Sequence, residues 1–375
     1  LNVVAPAEHE QMPNSEPIVQ VRNVSQHFQG KSHGVFRRKH DVIKAVDDIS
    51  VSVARGECLA IVGESGCGKS TLARVVVGLL RPTNGDVLVD GQSTAAISNS
   101  EMRKLRKRVQ LVLQDPLASL DPRMTVKAIL NEALVVHRIG TSGEDRHRRC
   151  VEVLSQVGLG AEFMDRFAKE MSGGQRQRVA IAKAISCSPD VLVLDEPVSA
   201  LDVSVQAQII NLLVDLQKKL GLTYIIITHD LTLVQYIADK TCVMYLGAMV
   251  EYGDTADVWQ RPVHPYTVGL ISAVTIPDPA YEKTRHIEIL PGTIPSASAV
   301  PSGCRFHTRC TRAVELGRTT EAAGVKTTSF GILPRSCVDD IPQISSDAST
   351  GHQIACHFAG VQPHLEQGER MSLFN

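Results

Sequence analysis

The stretch Gly63-Glu64-Ser65-Gly66-Cys67-Gly68-Lys69-Ser70 satisfies the phosphate-loop pattern G-x-x-x-x-G-K-[ST] at every position. The apolar run Cys58-Leu59-Ala60-Ile61-Val62 before it reads as a buried strand, and Ser70-Thr71-Leu72-Ala73-Arg74-Val75-Val76-Val77 after it reads as a helix. That strand–loop–helix context is what the pattern requires. The glycines let backbone N–H groups turn inward at the positive end of the helix, Lys69 has the reach for β- and γ-phosphates, and Ser70 offers a hydroxyl to Mg²⁺. A chance glycine-rich turn would not be followed, in order, by the further nucleotide-site motifs described below.

Outward from this loop, composition sets bounds. At roughly 150 residues per domain, 375 residues make two or three domains with ample core. A formal charge of −1 and 4% aromatic residues exclude the basic footprint of a nucleic-acid or anionic-lipid binder. No apolar run reaches the ~18 residues that a membrane-spanning helix needs. The start Leu1-Asn2-Val3-Val4 has neither the pattern of a signal peptide nor an initiator Met, so the chain reads as a fragment or as one half of a longer polypeptide. Nine cysteines, one of them inside the phosphate loop, point to a reducing compartment and not to a disulfide framework.

Residues 1–17, with Pro6, Pro13 and Pro17 among polar residues, read as a disordered lead or linker. Ile18 to Val24 and Lys44 to Val53 alternate as strands, and the basic stretch from Gly30 to Asp41, with Lys31, Arg37, Arg38 and Lys39, reads as a solvated loop. Phe28 is either core or a ring that could stack on a base. Pro82-Thr83-Asn84-Gly85 reads as a turn into a strand over 86–91. Val109 to Leu113 reads as a strand that delivers Gln114 to a loop, where its amide could reach Mg²⁺ or an attacking water. Ser119 to Lys169 reads as a helical insertion, clearest over Val126 to Val136 and Arg146 to Val157.

Met171-Ser172-Gly173-Gly174-Gln175-Arg176-Gln177-Arg178 precedes a helix over Val179 to Ile185, and Ser172 with two glycines makes its N-terminus a second anion site. Val191-Leu192-Val193-Leu194 then ends in Asp195-Glu196-Pro197, a buried parallel strand delivering two carboxylates. Asp195 could hold Mg²⁺ through water, and Glu196 could act as general base on water. Asp202 opens a helix whose apolar face is Val205, Ile209, Leu212, Leu216 and Leu220, closed by Gly221. Tyr224 to Thr228 forms another strand, with His229 at its carboxyl end, placed to contact a γ-phosphate.

These residues resemble the ATP-binding subunits of ABC transporters over roughly residues 18–275, in the order phosphate loop, Gln114, Ser172-Gly173-Gly174-Gln175, Asp195-Glu196, Asp202, His229. Met171 stands where Leu is more usual, a volume-conserving exchange. The resemblance implies an α/β fold: a phosphate-loop ABC ATPase domain with a parallel-sheet core, a β-subdomain and a helical insertion at about 115–170. It implies ATP and Mg²⁺ as cofactors, with Gly63, Ser65, Gly66, Cys67, Gly68, Lys69, Ser70 and Thr71 around the phosphates and Phe28 against the adenine. Ser70, Gln114 and Asp195 would meet Mg²⁺, and Glu196, His229 and Gln114 would be catalytic. In that family two such domains face head to tail. Ser172, Gly173, Gly174, Gln175 and Asp202 of one would then act on nucleotide held by Lys69 of a homologous or identical second domain.

The C-terminal third is similar to the tail of oligopeptide and dipeptide importer ATPases: Arg261-Pro262-Val263-His264-Pro265-Tyr266-Thr267, Ile276-Pro277-Asp278-Pro279, Leu290-Pro291-Gly292-Thr293-Ile294-Pro295 and Gly303-Cys304-Arg305-Phe306-His307-Thr308-Arg309-Cys310. The tail implies a small accessory domain over 276–375. It also implies an ATPase that powers peptide import through transmembrane permease subunits, fed by an extracytoplasmic peptide-binding protein. Nucleic acid is no partner, and the chain would be peripheral on the cytoplasmic face of the plasma (inner) membrane, with the helical insertion docking a permease helix. The alternative is a soluble ABC ATPase of translation or DNA repair, whose relatives lack this tail.

Two cysteine expectations follow. Cys67, among inward N–H groups at a helix start, is either a favoured thiolate or a small residue filling a free motif position. Cys304, Cys310, Cys337 and Cys356 fall within 53 residues, and the tail's resemblance implies a [4Fe–4S] cluster there; the third cysteine of the family pattern would fall near Gly317. The spacing disfavours a zinc ribbon, which takes C-x₂₋₄-C pairs, and free thiols are the remaining reading.

Overall fold

The computed structural model describes residues 16–32, 40–95, 97–275 and 287–359. Its contacts divide the chain into two compact units, one of residues 1–22, 50–60 and 72–238, the other of 23–49, 61–71 and 239–375. Residues 1–15 of the lead expected over 1–17, the Arg37–Lys39 part of the basic loop, and the segment Ile276 to Pro279 lie outside the described residues, at whose edge the 275/276 boundary also falls, while Pro17 at the end of that lead begins a strand.

The first unit is built on a parallel sheet. Strand β6 (Val109–Val112) pairs in parallel with β7 (Val191–Asp195), Val109 opposite Val191, and β7 with β8 (Thr223–Thr228), Val191 opposite Thr223. The start of β3 (Cys58–Val62) lies on the far side of β8. Every residue of β7 and β8 is buried, which is why both read as continuous apolar runs and not as alternation. Helices α4 (Val126–Val136), α5 (Gly143–Gln156), α6 (Gly173–Ile185) and α7 (Val203–Leu220) share one core with the sheet, in which Leu130, Val153, Ile181, Leu192, Leu213 and Tyr224 are all fully buried. Of the ends of β1 (Pro17–Ser32) and β2 (His40–Ala54) that belong to this unit, the β2 end alternates with Val51 and Val53 buried, while β1 buries Ile18, Val19 and Val21.

In the second unit β9 (Lys240–Tyr245) and β10 (Ala248–Asp254) form an antiparallel hairpin; β10 pairs with β14 (Gln353–Ile354), and β14 with β13 (Ser345–Ser346). Glu251 on β10 is fully buried. Its carboxylate accepts from the backbone N–H of Val263 and of His264, each at 2.9 Å, and lies 2.8 Å from His352 Nε2, so the buried group is hydrogen-bonded. Tyr245, Tyr266 and Phe306 stack with ring centroids 4.8–5.5 Å apart, joined by His264. Helices α9 (Thr255–Gln260), α10 (Pro265–Ser272), α11 (Thr311–Thr319) and α12 (Arg335–Asp339) and the hairpin β11 (Val325–Thr328)–β12 (Gly331–Pro334) complete it.

Several local expectations change. Strands β1 and β2 run to Ser32 and from His40, well into the expected loop. Asn84 begins strand β4 (Asn84–Val89) instead of a turn. The tight turn is Asp90-Gly91, with φ of 52° and 74°, leading into β5 (Gln92–Ser93), a two-residue hairpin loop of the kind those residue types favour. Helix α2 (Asn99–Arg108) was not legible as an apolar period, but Ser98 and Glu101 close a capping box at its start. Helix α5 starts at Gly143, capped by Ser142, three residues before the expected start. On α7 the buried stripe is Ile209, Leu213 and Leu216, while Leu220 is exposed; Asp202 caps the helix and Gly221, at φ 64°, ends it. No helix among the described residues is long and apolar enough to cross a membrane.

Candidate nucleotide site

In the second unit, β3 ends at Val62 and α1 (Lys69–Val76) begins at Lys69, so the whole phosphate loop lies between them. Gly68 is at φ 105°, and a Cβ there would lie 1.9 Å from the Ala45 carbonyl oxygen; a Cβ on Gly63 would lie 2.2 Å from that of Met244. The loop is thus pressed so close to neighbouring backbone that only glycine fits at these two places. The buried Lys69 ammonium donates to the carbonyls of Gly63 (2.7 Å) and Glu64 (3.0 Å), folding back over the loop. Ser65 and Gly66 are exposed, Ser70 and Thr71 half-buried. Phe28 lies on β1, partly exposed at 37%.

Cys67 departs from the expectation of a favoured thiolate. It is buried, and that burial pushes its thiol up; the nearby Lys69 ammonium lowers it only in part. The site of the loop cysteine is a filled space and not a reactive anion pocket.

In the first unit two carboxylates stand at the end of β7. Asp195 ends β7, buried, and Glu196 follows at φ 47°, left-handed for a residue with a Cβ, its N–H bonded to the Ile227 carbonyl at 2.8 Å. Gln114 Nε2 donates to one Glu196 oxygen at 2.7 Å, and His229 Nδ1 lies 3.1 Å from the other. Glu196 is therefore held from both sides with its orientation set, and His229, with 61% of its side chain exposed, faces outward. The backbone strain at Glu196 is of the kind that persists at functional positions.

Ser172 caps α6: its hydroxyl accepts from Gln175 N–H at 3.3 Å, and the Gln175 amide oxygen accepts from Ser172 N–H at 3.1 Å. The helix therefore starts at Gly173, six residues before the expected start, and Gly173 and Gly174 lie in its first turn. A Cβ on Gly174 would stand 2.5 Å from Val205 Cγ1, so this glycine lets α6 approach α7. Asp202 accepts from Val205 N–H at 2.9 Å and from the Ser204 hydroxyl at 2.7 Å, and so serves locally as the cap of α7.

The four late cysteines, none in a disulfide, line one cavity of the second unit together with His264, Phe306 and His307. The Cys304 thiol is raised to about 11 and the Cys310 thiol to about 12, mainly by burial, with the neighbouring thiols contributing to the rise. Where the third cysteine was expected, Gly317 packs on β12 so closely that a Cβ would lie 1.9 Å from the Ile332 carbonyl oxygen; Cys337, on α12 after the hairpin, reaches the same cavity instead. No group of three or more His, Cys, Asp or Glu side chains among the described residues is gathered to hold a metal ion. To that extent the structure does not support the expected iron–sulfur site.

Two family models match the chain, ABC transporter over residues 46–199 and the C-terminal region of oligopeptide/dipeptide transporters over 250–316. A peptide import ATP-binding protein of Brucella abortus is 47% identical over 81% of this chain and 92% of its own length; the oligopeptide transport ATP-binding protein AppF of Bacillus subtilis is 42% identical over 92% and 98%. The chain belongs to the ATP-binding proteins of ABC transporters. Among solved structures of ABC proteins it is similar to an ATP-binding cassette captured as a dimer in a post-hydrolysis state with ADP and Pi (28% identity, TM-score 0.56, 63% of this chain and 98% of that one). It is also similar to a subunit of the cbiONQ ABC transporter complex of Clostridium perfringens (30%, TM-score 0.56, 66% and 92%). As an ABC ATPase the chain has the α/β fold expected from its motifs.

Tyr266 and Arg309 belong with the ABC motifs in this structure although neither sits in a recognisable nucleotide motif. The Glu64 N–H donates to Tyr266 Oη at 2.8 Å, and Arg309 meets the Glu64 carboxylate with both terminal nitrogens, at 2.7 and 3.2 Å. Their one trace in the sequence is position within the two C-terminal runs Arg261 to Thr267 and Gly303 to Cys310.

Proposed function

We propose that this chain hydrolyses MgATP to power import of oligopeptides or dipeptides through a separate membrane permease. The observation that carries the catalytic half is the Glu196 carboxylate held between Gln114 and His229 in a chain with an intact phosphate loop. A carboxylate so oriented can accept a proton from a water as that water attacks the γ-phosphate, and His229 can steady the phosphate. Lys69 and the loop N–H groups bind the β- and γ-phosphates, with Phe28 against the adenine. Ser70, Gln114 and Asp195 would hold Mg²⁺, whose charge neutralises the phosphate oxygens. Ser172, Gly173, Gly174, Gln175 and Asp202 would act on nucleotide bound by a second ATPase domain, identical or homologous. The peptide substrate is supported by the relatives' names and by the match over 250–316. In the same reading the chain sits on the cytoplasmic face of the membrane. An open groove between α2 and α4, with Leu79, Met102, Val136 and Lys183 on its walls, is where a permease helix would dock, and a peptide-binding protein outside would feed the permease. The alternative in translation or DNA repair has no observation in its favour. Reconstitution with the permease in liposomes tests the proposal: ATP turnover should rise with peptide-loaded binding protein, and turnover indifferent to peptide would overturn it.

The finer reading of the cysteines is proposed with it. The four cysteines line one cavity, and among the described residues no three His, Cys, Asp or Glu side chains are grouped to hold a metal ion. Convergence on one cavity from separate elements supports a shared group, a [4Fe–4S] cluster on Cys304, Cys310, Cys337 and Cys356, whose chemistry there would be to cross-link this part of the chain. Anaerobic purification should give iron and sulfide in equal amounts and absorbance near ~400 nm; colourless protein without iron, in which Cys337→Ser folds normally, would remove the idea.

A further inference from the structure

Residue Glu64 is the only carboxylate of the Gly63–Ser70 loop, and a negative charge there opposes the anion that the loop is built to hold. It is gripped through three of its groups. Its carbonyl accepts from Lys69, its N–H donates to the Tyr266 hydroxyl, and its carboxylate receives the fork of Arg309. The guanidinium is itself fixed. Its side chain is 6% exposed, Nε donates to the Pro291 carbonyl at 3.1 Å, and the group stands 5.9 Å from the Tyr245 ring centroid. The turn that carries it is anchored through buried Phe306, in contact with the rings of Tyr245 and Tyr266, and through Arg305, which bonds Asp47 and the Leu246 carbonyl. Asp47 lies two residues from Ala45, whose carbonyl presses on Gly68.

We propose that Arg309 and Tyr266 are positioning residues of the nucleotide site, acting through Glu64: they hold the loop in its phosphate-binding shape and neutralise the one charge in it that would repel ATP. This rests on the reading of Gly63–Ser70 as the ATP site. A planar fork suits the task because two parallel bonds to both carboxylate oxygens fix direction as well as charge, which an ammonium cannot do. Loss of Arg309 would leave Glu64 as an unpaired carboxylate inside an anion cradle, and removing that carboxylate as well would remove the repulsion.

The test is MgADP binding to the full chain by calorimetry, with ATPase assays of the assembled transporter. Arg309→Met should raise Kd tenfold or more and raise KM for ATP with kcat within threefold. Adding Glu64→Gln to it should bring Kd back to within threefold of the unmodified chain. Tyr266→Phe should weaken binding about threefold. A pair of merely structural value would shift thermal midpoints without this suppression of one substitution by the other. If Arg309→Met does not fold, Arg309→Lys serves, with about threefold weaker binding expected. Affinity within twofold of the unmodified chain in the Arg309 variant, or a double variant no tighter than Arg309→Met, would overturn the proposal. An unmodified chain that binds no MgADP would instead overturn the ATP-site reading itself.

Discussion

Glu196 occupies a left-handed backbone conformation at φ 47° and still receives Gln114 and His229 on its two oxygens, so its orientation is imposed by the fold and not chosen by a flexible side chain. Glu196→Gln keeps the shape and loses the basicity. It should retain MgATP binding while steady-state turnover of the assembled complex falls about 10²-fold or more; turnover within threefold of the unmodified protein would assign the proton to another group. Cys67 is a residue where burial outweighs the helix start. Its thiol is pushed up mainly by burial, so at pH 7.5 maleimide should modify it far more slowly than a free thiol and faster only as pH rises. Labelling at the rate of an exposed cysteine would show that the loop opens.

At the scale of elements, the start of α10 carries a pH dependence. His264 caps this helix, its Nδ1 accepting from Tyr266 N–H at 3.1 Å, and burial is the main reason its pKa is lowered to about 4, with Arg312 adding and Glu251 opposing. The unfolded chain takes up this proton near the ordinary histidine value of ~6.5, whereas the folded chain refuses it until about 4. Stability from this group is therefore complete above ~6.5 and lost as pH falls through that window, on the order of 3 kcal/mol in all. Denaturant midpoints should drop between pH 7.5 and pH 5, and His264→Asn, which can still cap but not titrate, should show a smaller drop. Equal drops would place the dependence elsewhere.

At the scale of the whole molecule, the residues proposed to act on a partner's nucleotide make a prediction about assembly. Glu196→Gln with MgATP should elute as a dimer, and Ser172→Arg, which puts a bulky cation at the helix start, should elute as a monomer while still binding nucleotide. A monomer in both would mean that Ser172 and Asp202 serve only as the helix caps they form within one chain. The motifs were legible because their chemistry is local. A phosphate loop needs glycines where backbone approaches backbone, a capping box needs Ser172 and Gln175 three apart, and a fully buried parallel strand reads as the unbroken apolar run Val191 to Leu194. Helix α2 carries the Ser98–Glu101 capping box but no apolar period, since Met102 and Leu105 are its only buried residues and charges fill the rest. The sequence left Cys67 open between a thiolate and a space-filling residue because its neighbours say nothing of the burial that raises its thiol. The meeting of Glu64 with Tyr266 and Arg309, and of four cysteines round one cavity, joins residues up to 245 positions apart. By itself the sequence determined the strand–loop–helix, the helix caps and the two carboxylates at the end of β7, because each is settled by neighbours within a few residues; the tertiary structure alone decided which distant charges meet, because burial and ion pairing depend on the packed surroundings.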